Sequence, residues 1–221
     1  NANYPAPKAI MSSVVEGAQV DFDNALKIEH RYFVHLACGK QAKNQIKAFF
    51  FDLQKINGGG SRPCKVTYPA WKSTKVGILG AGMMGQGIAY VAASVGIQVV
   101  LLDQTLEAAE KGKAYSKGLL DKRVSKGRLD AAKAEATLAL IQTTNDHADL
   151  KGCDMVIEAV FEDRTIKAKA TELAEANALP DVLMCSNTST LPITGLAQAS
   201  KKPENYIGLH FFSPGDKMPL V

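Results

Sequence analysis

The 221-residue sequence predicts an α/β fold: a doubly wound, mostly parallel sheet preceded by an α-helical connector segment. Three observations predict it. From Lys75 onward, short apolar runs alternate with Ala/Lys/Glu-rich stretches of helical period. A glycine-rich turn follows the first of those runs, and residues 1–74 lack strand alternation altogether. Runs that are apolar throughout suit strands covered on both faces, and their alternation with helices suits βαβ units.

Composition excludes other classes. With 46% hydrophobic and 22% charged residues, the chain is too apolar for a disordered segment. It has no run of about 18 uncharged apolar residues, so membrane insertion is not expected. Cys38, Cys64, Cys153 and Cys185 lie far apart, without a CxxC pair or a histidine at zinc-ligand spacing. They predict no metal site and no disulfide framework, but reduced thiols in a cytosol-type compartment. Residues 1–74 carry ten Lys/Arg against five Asp/Glu, whereas residues 75–221 carry 16 against 17. The basic excess is scattered singly, which reads as solvated helix faces and predicts no nucleic-acid partner. The chain opens on Asn1 without a signal segment and closes on Met218-Pro-Leu-Val221, a run like the start of a strand. Both ends predict a piece cut from a longer chain.

In chain order, Asp21 is an N-cap for a helix reaching Gly39, with Ala25, Ile28, Tyr32, Phe33, His35 and Leu36 at helical spacing. His30 and His35 read as helix-surface or packing residues. A second helix is expected from about Gln41 to Ile56, striped by Ile46, Phe49, Phe50, Leu53 and Ile56. Gly58-Gly-Gly-Ser-Arg-Pro63 is a flexible connector and marks a boundary. Strands are expected at 75–79, 98–102, 154–158, 182–185 and 206–209, and helices at 83–95, 105–126, 130–140 and 164–178. No self-similarity at 20–50 residues is present, which excludes repeat folds.

Gly80-Ala-Gly82-Met83-Met84-Gly85 fits G-x-G-x-x-G between a strand and a helix, and Asp103 ends the next strand. That context turns a common glycine pattern into a Rossmann-type dinucleotide turn. Gly80 allows the tight bend, Gly82 lets backbone approach a pyrophosphate, and Gly85 lets helix press on strand. The helix N-terminus then faces the phosphates. Asp103 can accept hydrogen bonds from ribose hydroxyls and repels a 2′-phosphate, and no Arg or Lys follows it until Lys111, which favours NAD over NADP.

Three further strand ends carry polar clusters. Ser186-Asn187-Thr188-Ser189-Thr190 has two readings, a ligand site at a carboxyl strand edge or the N-cap of a short helix. His210 ends the next strand and reaches the same edge, where a lone histidine is either structural or an acid/base. Glu158 and Glu162 lie at a third end. Glu162 either favours the following helix through its dipole or lines the pocket, and Lys167 is either solvated or lines the pocket.

Together, GAGMMGQGIA, the acid at Asp103, VIEAVFED, SNTSTL and GLHFFSP followed by KMPLV make residues 75–221 resemble the NAD-binding domain of L-3-hydroxyacyl-CoA dehydrogenases. Residues 1–74, beginning NYPAP, resemble the segment that precedes this domain in multifunctional fatty-acid oxidation α subunits, where it follows an enoyl-CoA hydratase domain. The resemblance implies that Met83, Met84, Asp103, Val160, Phe161, Glu162, Lys167, Asn187, Ser189 and Ser213 contact NAD with the three glycines. It implies His210 as catalytic acid/base and Ser189 as holder of the substrate oxygen. It further implies an acyl-CoA substrate, a dimeric parent complexed with a thiolase subunit, and a bacterial-type cytoplasmic location. The family's orienting glutamate for the histidine and its C-terminal helical domain would follow Val221. Two positions depart from the pattern: Ser213, where many relatives carry Asn, and Gly215, where an apolar residue is usual and glycine predicts a looser turn.

The expected function is the NAD-binding portion of a 3-hydroxyacyl-CoA dehydrogenase, binding NAD but turning over little alone. The competing readings are a small β-hydroxyacid dehydrogenase with the same nucleotide turn, and a non-catalytic NAD-binding module.

Overall fold

The computed structural model describes residues 3–61 and 71–221. The chain divides into two compact units, Asn1–Pro69 and Ala70–Val221. Arg62 and Pro63 of the expected connector, and Cys64, lie outside the described residues.

The first unit is helical. Helix α1 (Pro5–Gly17) was not expected from the apolar spacing; it starts with proline in its first turn, where the missing N–H costs nothing. Helix α2 (Phe22–Ala37) begins as expected, with the Asp21 carboxylate accepting the Asn24 amide at 3.0 Å. The two helices pack together, and the Tyr32 hydroxyl donates to Glu16 across them. The expected helix 41–56 is instead α3 (Lys40–Ile46), a π-helical turn (Lys47–Asp52) and α4 (Leu53–Asn57). A π turn adds a residue, so spacing read at 3.6 residues no longer describes one face. Ile46, Phe49, Phe50, Leu53 and Ile56 are all exposed, and Ile28 is the only buried residue among those described in this unit.

The second unit holds a six-stranded parallel sheet: β1 (Lys75–Leu79), β2 (Gln98–Leu102), β3 (Ile141–Thr144), β4 (Met155–Glu158), β5 (Leu183–Ser186) and β6 (Tyr206–Gly208). Their order is β3-β2-β1-β4-β5-β6, so the chain reverses its winding direction between β1 and β4. That switch point opens a crevice at the carboxyl edge of the sheet. Register places Thr144, Leu102, Leu79, Glu158, Ser186 and Gly208 in one row across all six strands. The loops that leave this row therefore converge on one edge.

Strand β3 was missed because only Ile141 and Thr144 of its four residues are buried, too little pattern to announce an edge strand. Alternate strand residues feed two cores. Ile78, Leu101 and Ile157 pack with Ile88 and Ala89 of helix α5 (Met83–Ser94). Leu79, Val156 and Met184 pack on the other face with Ala174 of α8 (Arg164–Asn177) and Leu196 of α9 (Ile193–Ala197). A fully buried side chain such as Ile78 or Leu101 contributes about 1.5–3 kcal/mol, which is why the middle of β1, β2 and β4 is apolar. Helices α6 (Leu106–Ser125) and α7 (Ala131–Ala139) complete the layer beside α5. Among the described residues, no helix is long and apolar enough to cross a membrane.

Candidate active site

The turn between β1 and α5 shows why three glycines stand there. Gly80 has φ +95°, and a Cβ on it would lie 2.7 Å from the Ala159 carbonyl oxygen. A Cβ on Gly85 would lie 1.8 Å from the Gly80 oxygen, so helix and turn touch through backbone. A Cβ on Gly82 would meet nothing within 4 Å. Gly82 instead lines a cavity of about 660 Å³, together with Gly80, Asp103, His147, Val160 and Phe161. Helix α5 has no side-chain cap and no acid in its first turn, which leaves its amides to a ligand. Asp103 accepts the Ala81 amide at 2.6 Å and the Gln104 amide at 2.7 Å, joining the glycine turn to the end of β2. A cavity that borders an uncapped helix start and carries a carboxylate on its wall fits a dinucleotide.

Beside the cavity lies a buried ionic network. Glu158, the last residue of β4, is fully buried and accepts three donors: Lys167 Nζ at 2.7 Å, the Val160 amide at 2.8 Å and the Ser186 hydroxyl at 2.8 Å. Lys167, from α8, also lies 3.2 Å from Glu162 Oε2. Glu162 Oε1 in turn accepts the Thr188 hydroxyl, and the Ser189 and Thr190 amides at 3.2 and 3.3 Å. Partial burial works to raise the Glu162 pKa, but the Thr188 hydroxyl, Lys167 and the Thr190 amide outweigh it and hold it at about 2, against an ordinary 4.5. One set of charges thus binds the ends of β4 and β5 to the start of α8.

The histidine loop closes the arrangement. His210 Nδ1 lies 3.0 Å from the Asn187 backbone oxygen, and Asn187 Oδ1 accepts the Phe211 amide at 2.7 Å. A carbonyl can only accept, so Nδ1 carries the proton, and whenever the ring is neutral its lone pair is on Nε2. The Phe212 ring stands edge-on to the imidazole, with centroids 5.1 Å apart. Further along, Ser213 Oγ lies 4.0 Å from Met83 Sδ at the start of α5, which brings this loop to the nucleotide turn.

The expected residues therefore fall into groups. Gly80, Gly82, Asp103, Val160 and Phe161 share the cavity wall. Asn187 and His210 are joined directly, as are Met83 and Ser213, while Ser189 is tied to Glu162. Met84 is half-buried against the core on the α5 face, and Gly85 is buried in the helix–strand contact. The solvated reading of Lys167 is corrected: it is 1% exposed, because two carboxylates hold it inside. Asp163, rather than Glu162, caps α8, accepting the Thr165 amide at 2.9 Å. The N-cap reading of 186–190 is corrected as well, since α9 begins at Ile193 without a side-chain cap. Gly215 is buried against the backbone of Gly87 in α5. Asn145, His147 and Lys169 of the cavity wall went unnamed; the first two follow β3, the strand that the apolar pattern did not announce.

Residues 75–221 match the family model described as 3-hydroxyacyl-CoA dehydrogenase, NAD binding domain. The chain belongs to this family. The 3-hydroxyacyl-CoA dehydrogenase signature thus covers the whole sheet and the cavity beside it. Over 220 residues the chain is 40% identical to the fatty acid oxidation complex subunit alpha of Acinetobacter baylyi, covering 100% of this chain and 30% of that protein. Among solved structures, (S)-3-hydroxybutyryl-CoA dehydrogenase PaaH1 from Ralstonia eutropha is similar at 39% identity and TM-score 0.65, over 68% of this chain and 53% of that one. The 3-hydroxybutyryl-CoA dehydrogenase of Escherichia coli K12 is similar at 37% identity and TM-score 0.64, over 67% and 31%. The chain therefore spans about a third of the length of the curated relative it matches.

Proposed function

We propose that this chain is the cofactor-binding part of an NAD-dependent L-3-hydroxyacyl-CoA dehydrogenase, which oxidises (3S)-3-hydroxyacyl-CoA to 3-ketoacyl-CoA in fatty-acid β-oxidation. The observation that carries the reading is His210, its Nε2 lone pair free, on a loop that meets the nucleotide turn through Ser213 and Met83. In this reading the N–H groups at the start of α5 hold the pyrophosphate, Gly82 leaves room for it, and Asp103 holds the ribose. NAD bound there supplies the hydride acceptor. His210 takes the proton of the 3-hydroxyl at Nε2, a role suited to a group whose ordinary pKa is about 6.5. Ser189 holds the substrate oxygen, and Glu162 keeps Ser189 in place through its amide. Val160, Phe161, Asn187 and Ser213 flank the cofactor, and Lys167 holds Glu158 and Glu162 in place beside it.

The same proposal assigns residues 1–74 to a connector behind a hydratase domain, and 75–221 to the nucleotide domain ahead of a helical domain. It makes the parent a cytoplasmic dimer complexed with a thiolase subunit. Likeness to a fatty acid oxidation complex subunit along the whole chain supports this arrangement.

Calorimetric titration with NAD⁺ and NADP⁺ tests the reading. The expected result is that NAD⁺ binds the 221-residue chain, NADP⁺ binds it more weakly, and 3-hydroxybutyryl-CoA is oxidised very slowly. Equal affinity for both nucleotides defeats the cofactor assignment. In the full-length protein, His210→Gln abolishes dehydrogenation and spares NAD⁺ binding; retained turnover removes His210 from the mechanism.

A further inference from the structure

We propose that Ser186 is a positioning residue for His210, held in its working orientation by the buried Glu158. The inference rests on the acid/base role proposed above for His210, but it is read from the geometry of a single peptide unit. The Asn187 carbonyl and the Thr188 amide belong to one planar trans peptide, so the two groups point in opposite directions. The Thr188 N–H is aimed at Ser186 Oγ, 3.3 Å away. Its partner carbonyl therefore faces the other way, where it meets His210 Nδ1 at 3.0 Å.

What aims the serine is a carboxylate. Ser186 has one hydroxyl proton and gives it to Glu158 Oε2 at 2.8 Å, which leaves the oxygen lone pairs for Thr188. Both side chains are fully buried, so water does not compete for either. Glu158 remains an acceptor because Lys167 Nζ and the Val160 amide satisfy its other oxygen. Its backbone oxygen also accepts the Asn187 amide at 2.8 Å, fixing the preceding peptide too. Ser186 thus sets which face of the 187–188 peptide the imidazole meets. If that peptide turned over, an N–H would face Nδ1, the ring proton would move to Nε2, and the lone pair needed for the substrate hydroxyl would be lost.

The test is the tautomer of His210 in the ligand-free chain, read from long-range ¹H–¹⁵N NMR correlations and assigned by their loss in His210→Gln. In the unaltered chain Nδ1 carries the proton. Ser186→Ala removes one buried hydroxyl and little volume; circular dichroism stays unchanged while the Nε2–H form rises to a major share. Ser186→Cys, of similar volume and a weak donor, moves the ring in the same direction and serves if the alanine variant folds poorly. Ser186→Thr keeps the hydroxyl and keeps the Nδ1–H form. An unchanged tautomer in Ser186→Ala overturns the proposal, as does an equal shift in the alanine and threonine variants, which would mark a packing effect. The measurement needs neither NAD⁺ nor substrate, so its failure is separate from failure of the nucleotide titration.

Discussion

Lys167 Nζ lies 2.7 Å from Glu158 Oε1, and neither side chain is exposed. Such a pair is costly to form and costlier to break, because removing one partner leaves the other buried and uncompensated. Lys167→Met is expected to destabilise the nucleotide unit by about 3–5 kcal/mol, and Glu158→Gln combined with Lys167→Met by less than the sum of the single changes. Urea unfolding of the three variants checks this. Strict additivity would mean that the two groups do not act as a pair.

The glycine turn separates folding from binding. At Gly85 an added Cβ lies 1.8 Å from the Gly80 oxygen, so Gly85→Ala forces the helix off the strand and costs about 3 kcal/mol or more. Gly82 has φ −67°, which any residue adopts, and open space around it. Gly82→Ala therefore changes stability by less than about 0.5 kcal/mol. Because its methyl enters the cavity, NAD⁺ affinity falls about tenfold, equivalent to about 1.4 kcal/mol. Thermal melts beside calorimetric titrations distinguish the two variants.

Asp103 holds the Ala81 amide at 2.6 Å while facing the cavity. Asp103→Ser is expected to weaken NAD⁺ binding and to narrow the NAD⁺/NADP⁺ affinity ratio by about tenfold, since the like charge opposing a 2′-phosphate is gone. An unchanged ratio in parallel titrations would place the source of discrimination elsewhere.

Glu162 gives a pH dependence of defined sign. Its folded value, about 2, lies below the ordinary 4.5. Its contribution is therefore complete above pH 4.5 and is lost as the pH falls toward about 2. Amide signals of Ser189 and Thr190, whose N–H groups it accepts, should stay constant near pH 4.5 in the native chain and shift only as the pH approaches about 2. In Glu162→Gln the same signals should stay flat.

Part of the candidate site edge is legible in the sequence. Gly80, Gly82, Gly85 and Asp103 announce themselves because the turn allows few other residues there, and His210 because it ends an apolar run. Lys167 could not be read correctly: in sequence it is one lysine among many on a helix, and only the position of Glu158 across the loop explains its burial. The apolar stripe of 41–56 misled for a related reason, since spacing records which residues are apolar and not what covers them.

By itself the sequence determined the βαβ alternation, the nucleotide turn and the set of polar strand ends. These follow from local rules: period, propensity, and the backbone freedom of glycine. Tertiary structure alone decided the edge strand β3, the break in winding between β1 and β4, and the pairing of Glu158 with Lys167 and Ser186. Those depend on register, which sets Glu158 beside Ser186 in adjacent strands. Residues 28 positions apart meet only once the sheet has formed, and the buried charge then has no water to turn to.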